Sequence, residues 1–124
     1  MVADHALLAS IYRAFNARQI DAVLDVLHPE VKWANGWEGG YVTGHDGVRD
    51  YWTRQWAEID PTVMPEAFEE LPDGAVRVRV QARVRDLTGA LLSDTMVTHT
   101  YRFRAGKVGS MEIGAADDTE AAKA

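Results

Sequence analysis

The 124 residues carry a formal net charge of −6 and no cysteine, with 47% apolar and 26% charged side chains. That balance fits one soluble globular domain with its own core. It excludes disulfides, thiolate catalysis and Cys-ligated zinc, and the acidity argues against nucleic-acid binding, which needs phosphates neutralised.

Ala6, Leu7, Ile11, Ala14 and Phe15 recur at helical spacing, which predicts a first helix ending near Arg18 with Asp4 as its N-cap. A second, shorter helix over 20–27 rests on Val23, Leu24 and Leu27, and His28-Pro29 stops it because the residue before proline avoids the α region. Residues 30–34 read as a short strand, and 35–44 as a glycine-rich loop. Thr43-Gly44-His45-Asp46 has the form of a capping box, with Asp in place of the usual Glu or Gln. The third helix then puts Val48, Trp52, Gln55, Trp56 and Ile59 on one side, and Asp60-Pro61 ends it.

The chain alternates from 63 to 113. Val76, Val78, Val80, Ala82 and Val84 point one way, and Arg77, Arg79, Gln81, Arg83 and Arg85 the other. The arginine side is expected to be solvated or to face a second subunit. Pro72-Asp73-Gly74 makes the turn before this strand, and residues 86–89 the turn after it. Thr95, Val97, His99, Tyr101 and Phe103 share one face of the next strand, Ala105-Gly106-Lys107 is a tight hairpin, and 108–113 is the last strand. Residues 114–124 are expected to form a loose tail to a single domain over 1–124. No apolar run reaches the roughly 20 residues that span a bilayer. Residues 1–5 show no signal-like core, so a cytoplasmic location without membrane contact is expected.

Helices packed on one face of a curled sheet leave a hollow, and His99 and Asn35 are the polar groups best placed to enter it. An imidazole titrates near pH 6.5, so His99 could act as general base, general acid or donor to a ligand oxygen. Asn35 offers an acceptor and a donor, to orient a ligand or fix the His99 tautomer, although Asn35-Gly36 is equally a common turn pair. Trp33, Trp37, Trp52 and Trp56 are expected along the wall with Ile11 and Phe15, and Tyr12 and Tyr101 as hydroxyl donors. His5, His28 and His45 read as surface or structural residues. No histidine pair has i, i+4 spacing and no acidic run has calcium-loop form, so no metal site is expected. Glycine spacing offers no dinucleotide fingerprint, and no serine lies in a nucleophile elbow.

Four segments carry a family resemblance. They are Phe15-Asn16-Ala17-Arg18, Leu27-His28-Pro29-Glu30-Val31-Lys32-Trp33, the run from Gly44 to Trp52, and Tyr101-Arg102-Phe103-Arg104-Ala105-Gly106-Lys107-Val108. Together with the element order, they resemble the nuclear transport factor 2-like superfamily in its SnoaL-like branch, over roughly residues 4 to 114. The resemblance implies an α+β fold: a cone-shaped, curved antiparallel sheet wrapped around three N-terminal helices, a cystatin-like roll. It also implies a homodimer through the outer sheet face; such an interface must tolerate the arginines, for which Glu66, Glu69 or Glu70 of a partner strand could serve as partners.

The chain is more distantly similar to ketosteroid isomerase. That enzyme's carbonyl-binding tyrosine matches Ile11, beside Tyr12 on a different helical face. Its general-base aspartate matches Asn35, and its protonated oxyanion-hole aspartic acid matches His99. An amide cannot abstract a proton and Ile11 cannot donate one, so that mechanism does not carry over. Carboxylates are the usual bases in this superfamily, and only Glu38 lies near. The superfold hosts isomerases, cyclases, dehydratases, hydrolases and binders alike. Two functions stay open for a small, apolar, oxygenated ligand. One is a cofactor-independent acid–base enzyme using His99 and Asn35; the other is a non-catalytic binding protein with the same pocket.

Overall fold

The computed structural model describes residues 2–115. Its elements run α1 (Val2–Asn16), α2 (Ile20–Leu24), β1 (Leu27–Ala34), β2 (Tyr41–Thr43), α3 (Gly44–Glu58), β3 (Ile59–Glu70), β4 (Val76–Asp86), β5 (Leu91–Arg104) and β6 (Lys107–Ala115). The strands form one curved, unclosed sheet in the order β2-β1-β6-β5-β4-β3. Every neighbouring pair is antiparallel except β1 with β6, which run parallel. The α+β architecture expected from the sequence is the one the chain adopts.

Helix α1 buries Leu8, Ile11, Tyr12 and Phe15 along one stripe and leaves Arg13 in water. It begins at Val2, so Asp4 lies inside the first turn and not at the cap. It stops at Asn16, and Arg18 takes a left-handed φ of 63°. Asn16 fastens this end to the sheet: its Nδ2 donates to the Val63 carbonyl (2.8 Å) and its Oδ1 accepts from the Val63 amide (2.9 Å).

Three sequence expectations are corrected here. Helix α2 ends at Leu24, and residues 27–29 belong to β1, because Leu27 pairs with Val108 in parallel and the Val108 amide donates to the Val26 carbonyl (3.0 Å). The β1–β6 register breaks between Leu27 and Lys32, and Pro29 lies in that break, where its missing donor is not needed. Part of the loop is the strand β2, which hydrogen-bonds along the far edge of β1. Thr43 is the N-cap of α3, but its side chain makes no capping bond. Asp60-Pro61 does end α3, yet it continues directly into β3, opposite Arg85 and Val84.

The alternation in β4 is realised. Val76, Val78 and Val80 are buried beneath the helices. On the outer face two of the four arginines find acids within their own sheet, cross-strand neighbours of opposite sign. Arg77 donates to Glu69 (3.1 Å), and Arg83 pairs with Asp94 (3.3 Å). Ala105 and Gly106, at φ 54° and 80°, turn β5 into β6 as a two-residue hairpin whose twist suits the flanking strands. Gly114 and Ala115 of the expected tail belong to β6; the rest of it lies outside the described residues. No described helix is long and apolar enough to cross a membrane.

Candidate functional site

Between helices and sheet lies a cavity of about 260 Å³. Helix α1 supplies Ile11, Tyr12 and Phe15 to its wall, β1 and the next turn supply Trp33, Ala34 and Gly36, and α3 supplies Tyr51, Trp52 and Gln55. The sheet closes it with inward residues of β3 to β6, among them Val63, Val97, His99, Tyr101 and Met111. Ser93, Thr95 and Ile113 line it while exposed to solvent, which puts the mouth at that end of the sheet. Among the described residues no aspartate, glutamate, lysine or arginine lines it.

Aromatic rings frame the wall edge to face, the arrangement their quadrupoles favour. Trp33 meets Trp52 at 5.6 Å and 89°, and Phe15 meets Trp52 at 5.2 Å and 77°. Tyr101 lies edge-on to Trp33 at 6.1 Å and to Tyr12 at 6.3 Å.

His99 is the titratable centre of this wall. Tyr101 donates its hydroxyl proton to the Tyr12 oxygen (2.8 Å), and the Tyr12 oxygen lies 2.8 Å from His99 Nδ1. The Tyr12 oxygen has one proton and two lone pairs, so it can give its proton to Nδ1 or accept one from it while Tyr101 donates to it. When Tyr12 donates, the neutral imidazole carries its hydrogen on Nε2, the ring nitrogen that makes no hydrogen bond within the wall. Burial holds all three groups neutral. It lowers the His99 pKa from 6.5 to about 4, and it raises both phenols well above the ordinary tyrosine range. For Tyr12 the neighbouring Tyr101 adds to that rise.

Of the residues singled out from sequence, the cavity brings together Ile11, Tyr12, Phe15, Trp33, Trp52, His99 and Tyr101. Ile11 and Tyr12 both reach it, despite their 100° separation around the helix, because the hollow is broad. Three others are elsewhere. Asn35 is buried, but its amide organises the loop: Oδ1 accepts from the amides of Trp37 (3.0 Å) and Glu38 (2.7 Å), and Nδ2 donates to Glu38 (3.1 Å). The turn reading of Asn35-Gly36 is the one this geometry matches. Trp37 packs against the core without lining the cavity. Trp56 stacks behind Trp52 at 5.8 Å, with the Arg18 guanidinium 4.8 Å over its ring, so four-residue spacing put it one layer back.

Glu38 is also outside. Arg54 holds it (2.7 Å), and that bond, with the one from Asn35, keeps its carboxyl below the usual glutamate range. His28 Nδ1 accepts from the Glu30 amide (3.0 Å), His45 Nε2 meets the Leu27 carbonyl (2.9 Å), and His5 stacks on Phe68. Among the described residues no three His, Asp or Glu side chains cluster closely enough to hold a metal ion.

Tyr51 and Gln55 were missed as site residues. Burial raises the Tyr51 pKa, against smaller opposing effects of the Gly36 and Trp37 backbone and the Gln55 side chain. Gln55 is 9% exposed, and its buried Oε1 has no hydrogen-bond partner. The spacing 48, 51, 52, 55 is a helical stripe and could have revealed both.

The SnoaL-like domain model matches residues 8–111. The chain belongs to the SnoaL-like family. No curated protein matches its sequence. Solved structures do. A nuclear transport factor 2-like protein of unknown function from Burkholderia pseudomallei is 24% identical, with a TM-score of 0.80 over 97% of this chain and 95% of that one. TerC, co-crystallised with polyporic acid, is 23% identical, with a TM-score of 0.77 over 94% of each chain. SalBIII, an epoxide hydrolase/cyclase-like enzyme with a role in pyran ring formation in the polyether salinomycin, is 17% identical, with a TM-score of 0.74 over 89% and 88%. At these identities the likeness establishes the SnoaL-like fold.

Proposed function

We propose that this SnoaL-like domain binds a small, apolar, oxygenated molecule in its cavity, with the Nε2–H of neutral His99 donating to a ligand oxygen. The supporting observation is the chain of hydrogen bonds from Tyr101 through Tyr12 to His99 Nδ1. With Tyr12 donating to Nδ1, the ring's hydrogen sits on Nε2, and each donor polarises the next, so that N–H is a better donor than an isolated imidazole. The apolar wall supplies affinity by burial. With a pKa of about 4, His99 is a poor base at neutral pH and a good neutral donor.

A second reading is favoured by the same bonds. A neutral imidazole aimed at a carbonyl can act as an electrophile, stabilising the enolate that forms when solvent water or hydroxide entering at the cavity mouth takes the neighbouring proton. The domain would then be a cofactor-independent isomerase, cyclase or dehydratase. SalBIII, with its cyclase-like chemistry, offers a precedent on this fold.

1-Tetralone separates the readings. An engineered cavity of about 150 Å³ takes benzene, so this larger one has room for a fused bicycle. Binding is followed by quenching of Trp33 and Trp52 fluorescence, and His99→Ala should weaken it. In heavy water, exchange of the hydrogens beside the ketone, followed by NMR, reports enolisation. Exchange that is accelerated by the protein and lost in His99→Ala supports the enzyme. Binding without acceleration supports the carrier, and no binding refutes the pocket.

The outer sheet face belongs to the same proposal as the seat of a homodimer. Met64 and Leu91 lie opposite Gln81 and Arg85, on the arginine side, and both are exposed.

A further inference from the structure

We infer that Tyr12 is a positioning residue: it holds the His99 imidazole as a hydrogen-bond donor to the cavity, so that the site takes a ketone in preference to the alcohol of the same skeleton. This rests on the cavity being a ligand site. His99 lines the cavity with 8% of its surface open. Its Nε2 makes no hydrogen bond within the protein and is not among the sealed polar atoms that lack a partner. What Nε2 offers a ligand, a hydrogen or a lone pair, depends on how Nδ1 stands towards Tyr12.

Three hydrogens share the chain from Tyr101 to His99. Tyr101 is 0% exposed, and its hydroxyl has one partner, the Tyr12 oxygen, so its hydrogen goes there. Tyr12 is 2% exposed, and Nδ1 is the acceptor left for its own hydrogen. Were Nδ1 to donate instead, one of the two phenols would keep a buried O–H without an acceptor, whichever way the pair turned. Folded proteins rarely leave such a group. With Tyr12 donating, both phenolic hydrogens are used and the ring's own hydrogen stays on Nε2. A ketone completes this arrangement with a lone pair. An alcohol oxygen can accept from Nε2–H too, but its own hydrogen then lacks an acceptor. Gln55 Oε1 is sealed, and both phenol oxygens belong to the buried residues Tyr12 and Tyr101. Thr95 and Ser93 stand at the mouth, about 14 and 20 Å from His99 along β5 at roughly 3.4 Å per residue.

The test measures 1-tetralone against each enantiomer of 1-tetralol by tryptophan quenching, and reads the ring by nitrogen NMR of histidine-labelled protein at neutral pH, with His99→Gln assigning the signals. In the wild type Nε2 should appear protonated and Nδ1 bare. The ketone should bind about tenfold more tightly than either alcohol, the scale of one buried unpaired group. In Tyr12→Phe the two nitrogen signals should draw together as both tautomers populate, and the preference should shrink towards unity. Tyr101→Phe leaves Tyr12 against Nδ1 and should keep both. The wild-type readings need no variant to fold. A wild-type hydrogen on Nδ1, equal binding of ketone and alcohol, or a preference unchanged in Tyr12→Phe overturns the assignment and leaves the cavity standing. If neither probe binds, the ligand site itself fails and the selectivity falls with it.

Discussion

Acid should destabilise this protein through His99. The folded imidazole stays neutral down to about pH 4, against 6.5 for the ordinary side chain, because its burial penalises the cation. Between those values the unfolded chain binds a proton that the folded chain refuses. Stability from this group is therefore complete above pH 6.5 and is lost as pH falls towards 4. The linkage for one such proton amounts to about 1 kcal/mol at pH 6, about 2 at pH 5 and about 3 at pH 4. A comparison with His99→Gln isolates it, since the amide can accept from Tyr12 but does not titrate, and surface carboxylates change alike in both proteins. Urea unfolding from pH 7 to pH 4 is the assay. With slopes of roughly 1–3 kcal/mol per molar urea, the wild-type midpoint should fall about 1–3 M further than the variant's. Parallel midpoint curves would refute the reasoning, because they would mean that the ring is protonated without penalty in the folded state.

Other outcomes follow from the same contacts. Tyr12→Phe should cost about 1–3 kcal/mol by leaving His99 Nδ1 buried and unpaired, and Tyr101→Phe should cost less, because Tyr12 keeps its acceptor; thermal melts order the two. Asn16→Ala removes both bonds to Val63 and should lower stability by about 1–3 kcal/mol in urea titrations. Ala82→Phe should fill the cavity and abolish 1-tetralone quenching while the circular dichroism spectrum stays native. Leu91→Arg should convert a dimer to a monomer in light scattering; an unchanged mass would remove the outer face from the proposal.

Much of the architecture is legible in the sequence where the pattern is physical and long. Ten alternating residues of β4 allow one register, and the buried face of α1 repeats four times. Short elements carry no such signal. Strand β2 has three residues and exists through its bonds to β1, which no local pattern announces. The Pro29 region reads as a stop, but a parallel partner more than seventy residues away draws it into the sheet. At the site, His99 is visible as a polar residue on an apolar register. Its low pKa is not, because that depends on what covers the ring. Asn35 could be read two ways, and the loop amides that occupy it come from tertiary geometry. Gln55 escaped as a site residue because only the cavity turns a buried helix position into a wall residue.

The position of β6 constrains how this chain can be made. The last of the described strands is an interior strand of the sheet, wedged between β1 and β5. During synthesis, β1 and β5 are both finished before the segment that joins them leaves the ribosome. Each must wait with a bare row of amides and carbonyls, the kind of edge on which foreign chains template. Closure then brings Leu27 to Val108 across most of the molecule, a long-range step of the sort that slows folding. A ribosome that stalled short of residue 107 would release a chain with two open edges and no means of sealing them.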